Sequence, residues 1–175
     1  MKQYYSNLFL LAGSGRNVGK TTFCCNLIEK FSKENRITAI KVTDHFHDLQ
    51  DQNIKYYHNS NDYIIAEEMD SAGTKDTSRY LASGADSSFI IISKREKFSE
   101  AIDKLSCIID MDSNPIVMES GAFLELFRPK IAGFITDNSE ITVNRGFDFV
   151  AHFENKKFDI ELSEFSLHGN TWEFH

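Results

Sequence analysis

Leu8-Phe9-Leu10-Leu11-Ala12-Gly13-Ser14-Gly15-Arg16-Asn17-Val18-Gly19-Lys20-Thr21-Thr22 is the stretch that decides the fold of this chain. Its first five residues are continuously apolar, the pattern of a strand buried on both faces of a parallel sheet. Glycine ends that run at once. From Thr21 to Glu34 apolar residues recur at Phe23, Leu27, Ile28 and Phe31, with Lys30 and Lys33 near the end. That spacing predicts an amphipathic helix with cations at its negative pole. Strand, glycine-rich loop and helix open a βαβ unit.

Outward from this unit, Ile37 to Val42 is β-branched enough for a second strand, with Lys41 at its C-terminal end. Thr43 to Ser60 turns polar, with Asp44, Asp48, Asp51 and Asn53 among His45, His47 and His58, and reads as a long loop. Tyr63-Ile64-Ile65 suits a strand, while the following Ala66-Glu67-Glu68-Met69 suits a helix equally well. Lys75 to Ser83 predicts a helix stopped by Gly84 in a left-handed cap, and Phe89 to Ile92 a strand. Phe98 to Ile109 repeats the helical spacing, with Ser99 as its cap. Pro115 to Met118 and Ile131 to Thr136 are further strands, the first closed by Glu119-Ser120-Gly121.

After residue 145 the period falls to two, through Phe147, Phe149 and Ala151, then Phe158, Ile160 and Leu162. An antiparallel hairpin turning near Glu154-Asn155-Lys156 is the expected ending. The expectation is therefore an α/β chain with a three-layer P-loop NTPase fold, its sheet mostly parallel and closed by a C-terminal antiparallel hairpin. Residues 1–175 make a single nucleotide-binding domain, with ligands at the C-terminal ends of the strands.

Charge and composition narrow the function. With 19 basic and 26 acidic residues the formal net charge is -7, so a broad surface for a nucleic-acid backbone is not expected. No apolar run has the length of a signal or membrane-spanning segment, which makes cytoplasmic residence the expectation and leaves no role for a membrane. Cys24 and Cys25 are adjacent and Cys107 stands far away, so reduced thiols are expected. The 15 phenylalanines lack basic neighbours that would make a stacking surface for nucleic acid and read mostly as core.

Gly13, Ser14, Gly15, Arg16, Asn17, Val18, Gly19, Lys20, Thr21 and Thr22 supply what a di- or triphosphate needs. Glycines let backbone amides converge, Lys20 neutralises oxygens, and the Thr21 hydroxyl reaches Mg²⁺. ATP or GTP with Mg²⁺ is the implied cofactor. The usual G-x-x-x-x-G-K-[ST] would place glycine at Ser14; here the loop starts at Gly13 and is one residue longer. Glu119, at the end of an apolar strand, is placed either to bind Mg²⁺ or to make a structural salt bridge. Asp44 and Asp48 offer a second metal ligand or hold a water, unless they are merely solvated. His45-x-His47 lacks the spacing that would converge two rings on a transition metal. Lys75-Asp76 orients a substrate or caps its helix.

A long loop with valine before Gly-Lys-Thr resembles the dethiobiotin synthetase and cobyrinate synthetase branch of P-loop proteins. A longer series of landmarks resembles the molybdopterin-guanine dinucleotide biosynthesis accessory proteins, the MobB-like family. The landmarks are Ile40-Lys41 before Asp44-His45-Phe46-His47-Asp48, then Lys75-Asp76-Thr77-Ser78-Arg79 through Ser83-Gly84-Ala85, then Val117-Met118-Glu119 and Pro129-Lys130-Ile131. The chain departs from that family at Ser120-Gly121-Ala122-Phe123, where the family has Gly-Phe-Lys after its glutamate.

The resemblance implies a slow, Mg²⁺-dependent NTPase serving cofactor or metabolite biosynthesis through a partner protein or bound metabolite. It also implies that Lys41 meets a substrate phosphate or carboxylate, so that Lys20, Lys41 and Asp44 are the catalytic candidates, and that the chain can form a homodimer. A small-molecule kinase or ATP-dependent ligase, with an acceptor at Lys41 and the 43–60 segment, is the alternative. A nucleotide-binding switch without turnover is the third reading.

Overall fold

The structure is a computed structural model and describes residues 3–46, 49, 53–121, 123–138, 140 and 146–175. In chain order it runs β1 (Gln3–Gly13), α1 (Lys20–Phe31), β2 (Thr38–Thr43), β3 (Ile54–Asn59), β4 (Tyr63–Glu68), α2 (Asp76–Ala82) and β5 (Ser87–Ser93). Then follow α3 (Phe98–Ser106), β6 (Ile116–Glu119), α4 (Phe123–Leu126), β7 (Phe127–Thr136), β8 (Phe149–Glu154), β9 (Lys157–Phe158), β10 (Phe165–His168) and β11 (Thr171–Phe174).

The described strands β1 to β9 form one sheet in the order β3-β4-β5-β2-β6-β1-β7-β8-β9, and β10 pairs with β11 beside it. From β5 to β8 in that order the neighbours are parallel. Antiparallel pairs flank them: β4 with β3 and β5, and β9 with β8. The fold is thus mixed α/β with a mostly parallel central sheet and an antiparallel C-terminal hairpin.

Alternation along β1 explains the layers, since successive side chains of a strand point to opposite faces. Leu8 and Leu10 join Phe98, Ala101, Ile102 and Leu105 of α3 on one face. Phe9 and Leu11 join Phe23, Leu27 and Ile28 of α1, Tyr80 of α2 and Trp172 of β11 on the other. Trp172 is fully buried, and its indole N–H donates to the Asn7 carbonyl at 2.9 Å, fixing the last hairpin to the central strand.

Several expectations need correction. The expected loop from Thr43 to Ser60 contains strand β3, which pairs with β4 from Ile54↔Glu68 to Asn59↔Ile64. As the sheet's edge strand it is wet along most of its length and carries no apolar alternation to betray it. The open segment after Tyr63 is strand through Glu68, whose buried carboxylate accepts from the Thr77 hydroxyl at 3.1 Å and the Asp70 amide at 3.1 Å. Helix α3 stops at Ser106 rather than Ile109, and its cap is Lys97, not Ser99. β1 and β7 both begin earlier than expected, with Tyr5 opposite Pro129. The hairpin at Asn155 and Lys156 is present, with φ of 51° and 62°, the left-handed pair that a tight hairpin turn requires. It is not the ending, because the β10–β11 hairpin follows. Gly84 has φ of 102°, as the expected helix stop demands.

Candidate functional site

The connections diverge at the middle of the sheet. From β1 the chain crosses β6 to reach β2, and from β6 it crosses β1 to reach β7. Such a switch point leaves a crevice beyond the C-terminal strand ends, where ligands of open α/β sheets bind. A cavity of about 1060 Å³ lies there. The loop from Gly13 to Gly19 forms part of its wall, and helix α1 begins at Lys20 on its rim.

Loop geometry follows from its glycines. A Cβ on Gly13 would lie 2.6 Å from the Ile135 carbonyl oxygen, so the chain leaves the sheet only because that position is bare. Asn17 has φ of 60° and Gly19 has φ of 97°. The Ser14 amide is held by the Ile135 carbonyl at 3.1 Å, and the Phe23 amide makes the first helical bond, to the Gly19 carbonyl. Between these two, no amide from Gly15 to Thr22 has a backbone acceptor among the described residues. Lys20 folds its ammonium onto the Gly15 carbonyl. Burial lowers its pKa, and the like charge of Lys41 adds to this, although Glu119 partly offsets both.

Sheet register builds the acidic centre. Glu119 is level with Leu11 on β1 and with Lys41 on β2, so the three side chains share the face covered by α1. Thr21, in the first turn of α1, donates its hydroxyl to Glu119 Oε2 at 2.9 Å. Tyr80 donates to the same oxygen at 2.7 Å, and Lys41 Nζ lies 3.0 Å from Oε1. Lys41 also pairs with Asp76. Asp76 and Tyr80 are four residues apart on α2, hence on one helical face, and both reach this centre. Arg79 lies between them, 3.3 Å from the Thr22 hydroxyl and 3.8 Å from Asp76.

Burial sets the electrostatics. The Glu119 side chain is 7% exposed and that of Lys41 20%. Burial opposes the charge on Lys41, but Glu119 and Asp76 outweigh it and hold the ammonium above lysine's ordinary range. Burial also pushes the Tyr80 phenol well up, reinforced by Cys24 and Glu119, so the phenol stays a donor to the carboxylate. The Cys24 thiol beside it is raised well above its usual value, chiefly by burial.

The structure therefore brings Lys20, Thr21, Lys41 and Glu119 together around one cavity. Lys41 is paired with Asp76 and Glu119, and Glu119 makes its salt bridge and its threonine contact at once. Asp44 lines the same cavity but stands away from this centre, its side chain 70% exposed and 3.7 Å from His45 Nε2. Asp48 and His47 lie outside the described residues. Asp76 meets Lys41 rather than merely capping α2. Sequence reasoning passed over Tyr80, which the four-residue spacing from Asp76 signals, and Phe153, which nothing in its strand distinguishes from core. Among the described residues no three His, Cys, Asp or Glu side chains gather as a metal site of their own. The Thr21 hydroxyl and Glu119 carboxylate are nonetheless two adjacent hard oxygens, and Mg²⁺ takes few protein ligands, completing its shell with phosphate and water. Those residues fit the ion.

Among the described residues no helix is long and apolar enough to cross a membrane. Compared with protein-family models, curated proteins and solved structures, the chain matches none.

Proposed function

We propose that the chain is a Mg²⁺-dependent P-loop protein that binds a nucleoside triphosphate and hydrolyses it slowly, in support of cofactor or metabolite biosynthesis. The observation that carries this reading is the 2.9 Å bond from Thr21, in the first turn of α1, to Glu119 at the end of β6, beside a loop whose amides have no backbone acceptor among the described residues. Amides from Gly15 to Thr22 and the start of α1 receive the phosphate oxygens, and Lys20 leaves the Gly15 carbonyl to meet them. The Thr21 hydroxyl and the Glu119 carboxylate hold Mg²⁺, which neutralises charge on the phosphates. Slow turnover follows from the acids nearby. Glu119 accepts from three groups, Asp76 is paired with Lys41, and Asp44 is turned to solvent, so among the described residues no acid of the centre stands ready to take a proton from water. The accessory role rests on the MobB-like order of landmarks.

One observation favours the kinase or ligase reading. The cavity extends from Phe153 on β8 past Lys41 on β2 to Ile90 on β5 and Ile54 on β3, which leaves room for an acceptor beside Lys41. A thermal-shift screen of ATP, GTP, CTP and ADP with and without Mg²⁺ tests the binding reading, since a ligand bound to the folded state raises the unfolding temperature. Stabilisation by triphosphates only with Mg²⁺ is the expected result; none for any nucleotide contradicts it. Acceptor-independent phosphate release supports the NTPase, and an ADP burst that needs an added metabolite supports the kinase or ligase.

A further inference from the structure

The triphosphate site has two unlike walls. Glu119 on β6 and Lys41 on β2 close one side of the loop, where the metal and terminal phosphates belong if the proposed function holds. On the other side β7 and then β8 follow β1, and there the wall is an aromatic ring, Phe153. We propose that this ring is the platform on which the nucleobase of the bound nucleotide stacks, an inference that rests on the phosphate-site reading.

Three features fit the ring to that task. It is half-buried and lines the cavity, so part of its surface remains open to a ligand. Phe158 of the β8–β9 hairpin packs against it with centroids 4.6 Å apart, so it is held in place before anything binds. It also lies against Gly19, where a Cβ would come within 2.6 Å of the ring. The phosphate loop and the platform are therefore in direct contact, and a nucleotide seated in one overhangs the other. Among the described polar groups after β7, the Asn138 side-chain oxygen accepts from the Glu140 amide at 2.9 Å, within its own turn. Neither Asp137 nor Asn138 is among the described residues that line the cavity. Stacking on a ring is tolerant of base identity, because every base has a π-face. The platform thus holds adenine and guanine alike.

Titration calorimetry of the full chain with Mg·ATP, Mg·GTP and inorganic triphosphate tests this. Phe153→Leu keeps an apolar side chain against Gly19 and removes the ring; Phe153→Tyr keeps the ring. The expected result is a loss of about tenfold or more in affinity for both nucleotides in Phe153→Leu, from the loss of one stacked base. Triphosphate affinity stays unchanged in that variant, and Phe153→Tyr binds nucleotides as the wild type does. Equal losses for nucleotides and triphosphate, or no loss for nucleotides, would overturn the platform while leaving the phosphate site standing. If wild-type protein binds none of the three ligands, the phosphate-site reading fails and the platform falls with it.

Discussion

The Lys41 ammonium lies 3.0 Å from Oε1 of Glu119, a carboxylate with only 7% of its side chain exposed. This lysine is the counter-ion of the acid proposed to hold Mg²⁺. Removing one partner of a buried pair strands the other charge, which costs about 3–5 kcal/mol when burial is complete. Because Lys41 keeps a fifth of its side chain in water, Lys41→Met is expected to cost less than that, about 2–3 kcal/mol. Urea unfolding checks it, and the double variant Lys41→Met/Glu119→Gln should recover part of the loss. A loss in the double variant equal to the sum of the single ones would deny the coupling.

Glu119→Gln keeps the shape and the acceptor oxygen for Thr21 but removes the charge that attracts a divalent cation. The Mg²⁺ concentration needed for nucleotide binding should therefore rise, while affinity at saturating Mg²⁺ changes little. Paired Mg²⁺ titrations, followed by nucleotide binding, measure this. Superimposable curves for the two proteins would remove Glu119 from the metal site.

Acid should destabilise the chain through Asp76. Burial raises its pKa, but the hydrogen bond and charge of Lys41 outweigh this and leave it below the ordinary aspartate value of 3.8. A carboxyl depressed in the folded state contributes stability above its unfolded pKa, and that contribution is lost as pH falls through the folded value. Unfolding free energy should thus fall as pH drops through and below 3.8, and less steeply in Asp76→Asn. Chemical denaturation across that range decides it, and parallel acid limbs would contradict the assignment. Lys41, raised in the folded state, contributes fully below its unfolded value of 10.5 and leaves the acid limb unaffected.

The loop glycines should differ in their tolerance of alanine. Gly19→Ala meets both a φ of 97° and the Phe153 ring, so a loss of about 1–2 kcal/mol or more is expected. Gly13→Ala meets the backbone oxygen of Ile135 at 2.6 Å and should be equally harmful. Gly15 has open space around a built Cβ, and Gly15→Ala should unfold within about 0.5 kcal/mol of the wild type. Thermal unfolding of the three variants ranks them, and a Gly15→Ala as unstable as Gly19→Ala would show the loop to be differently shaped.

Legibility followed burial. Leu8 to Ala12, the glycines and the helix after them were readable because a strand buried on both faces is apolar without alternation. Glu119 was readable from its place at the end of such a strand. β3 was hidden because an edge strand with Lys55, Tyr56 and Asn59 exposed carries no contrast between faces. Partnerships across the sheet were hidden for another reason. That Lys41 stands level with Glu119 is a matter of register between strands nearly eighty residues apart in the sequence. Phe153 lies on a strand of alternating apolar residues, and only the fold places its ring against Gly19 at the margin of the core.

Calorimetric titration of Mg·ATP and Mg·GTP into wild-type and Lys20→Ala protein tests the central claim most directly, because Lys20 is the charge that the glycine loop adds to its amides. The wild type should bind at least one of them with micromolar affinity, about -8 kcal/mol, and Lys20→Ala should show no measurable heat while unfolding at a similar temperature. Binding of the same strength in both proteins would contradict the account.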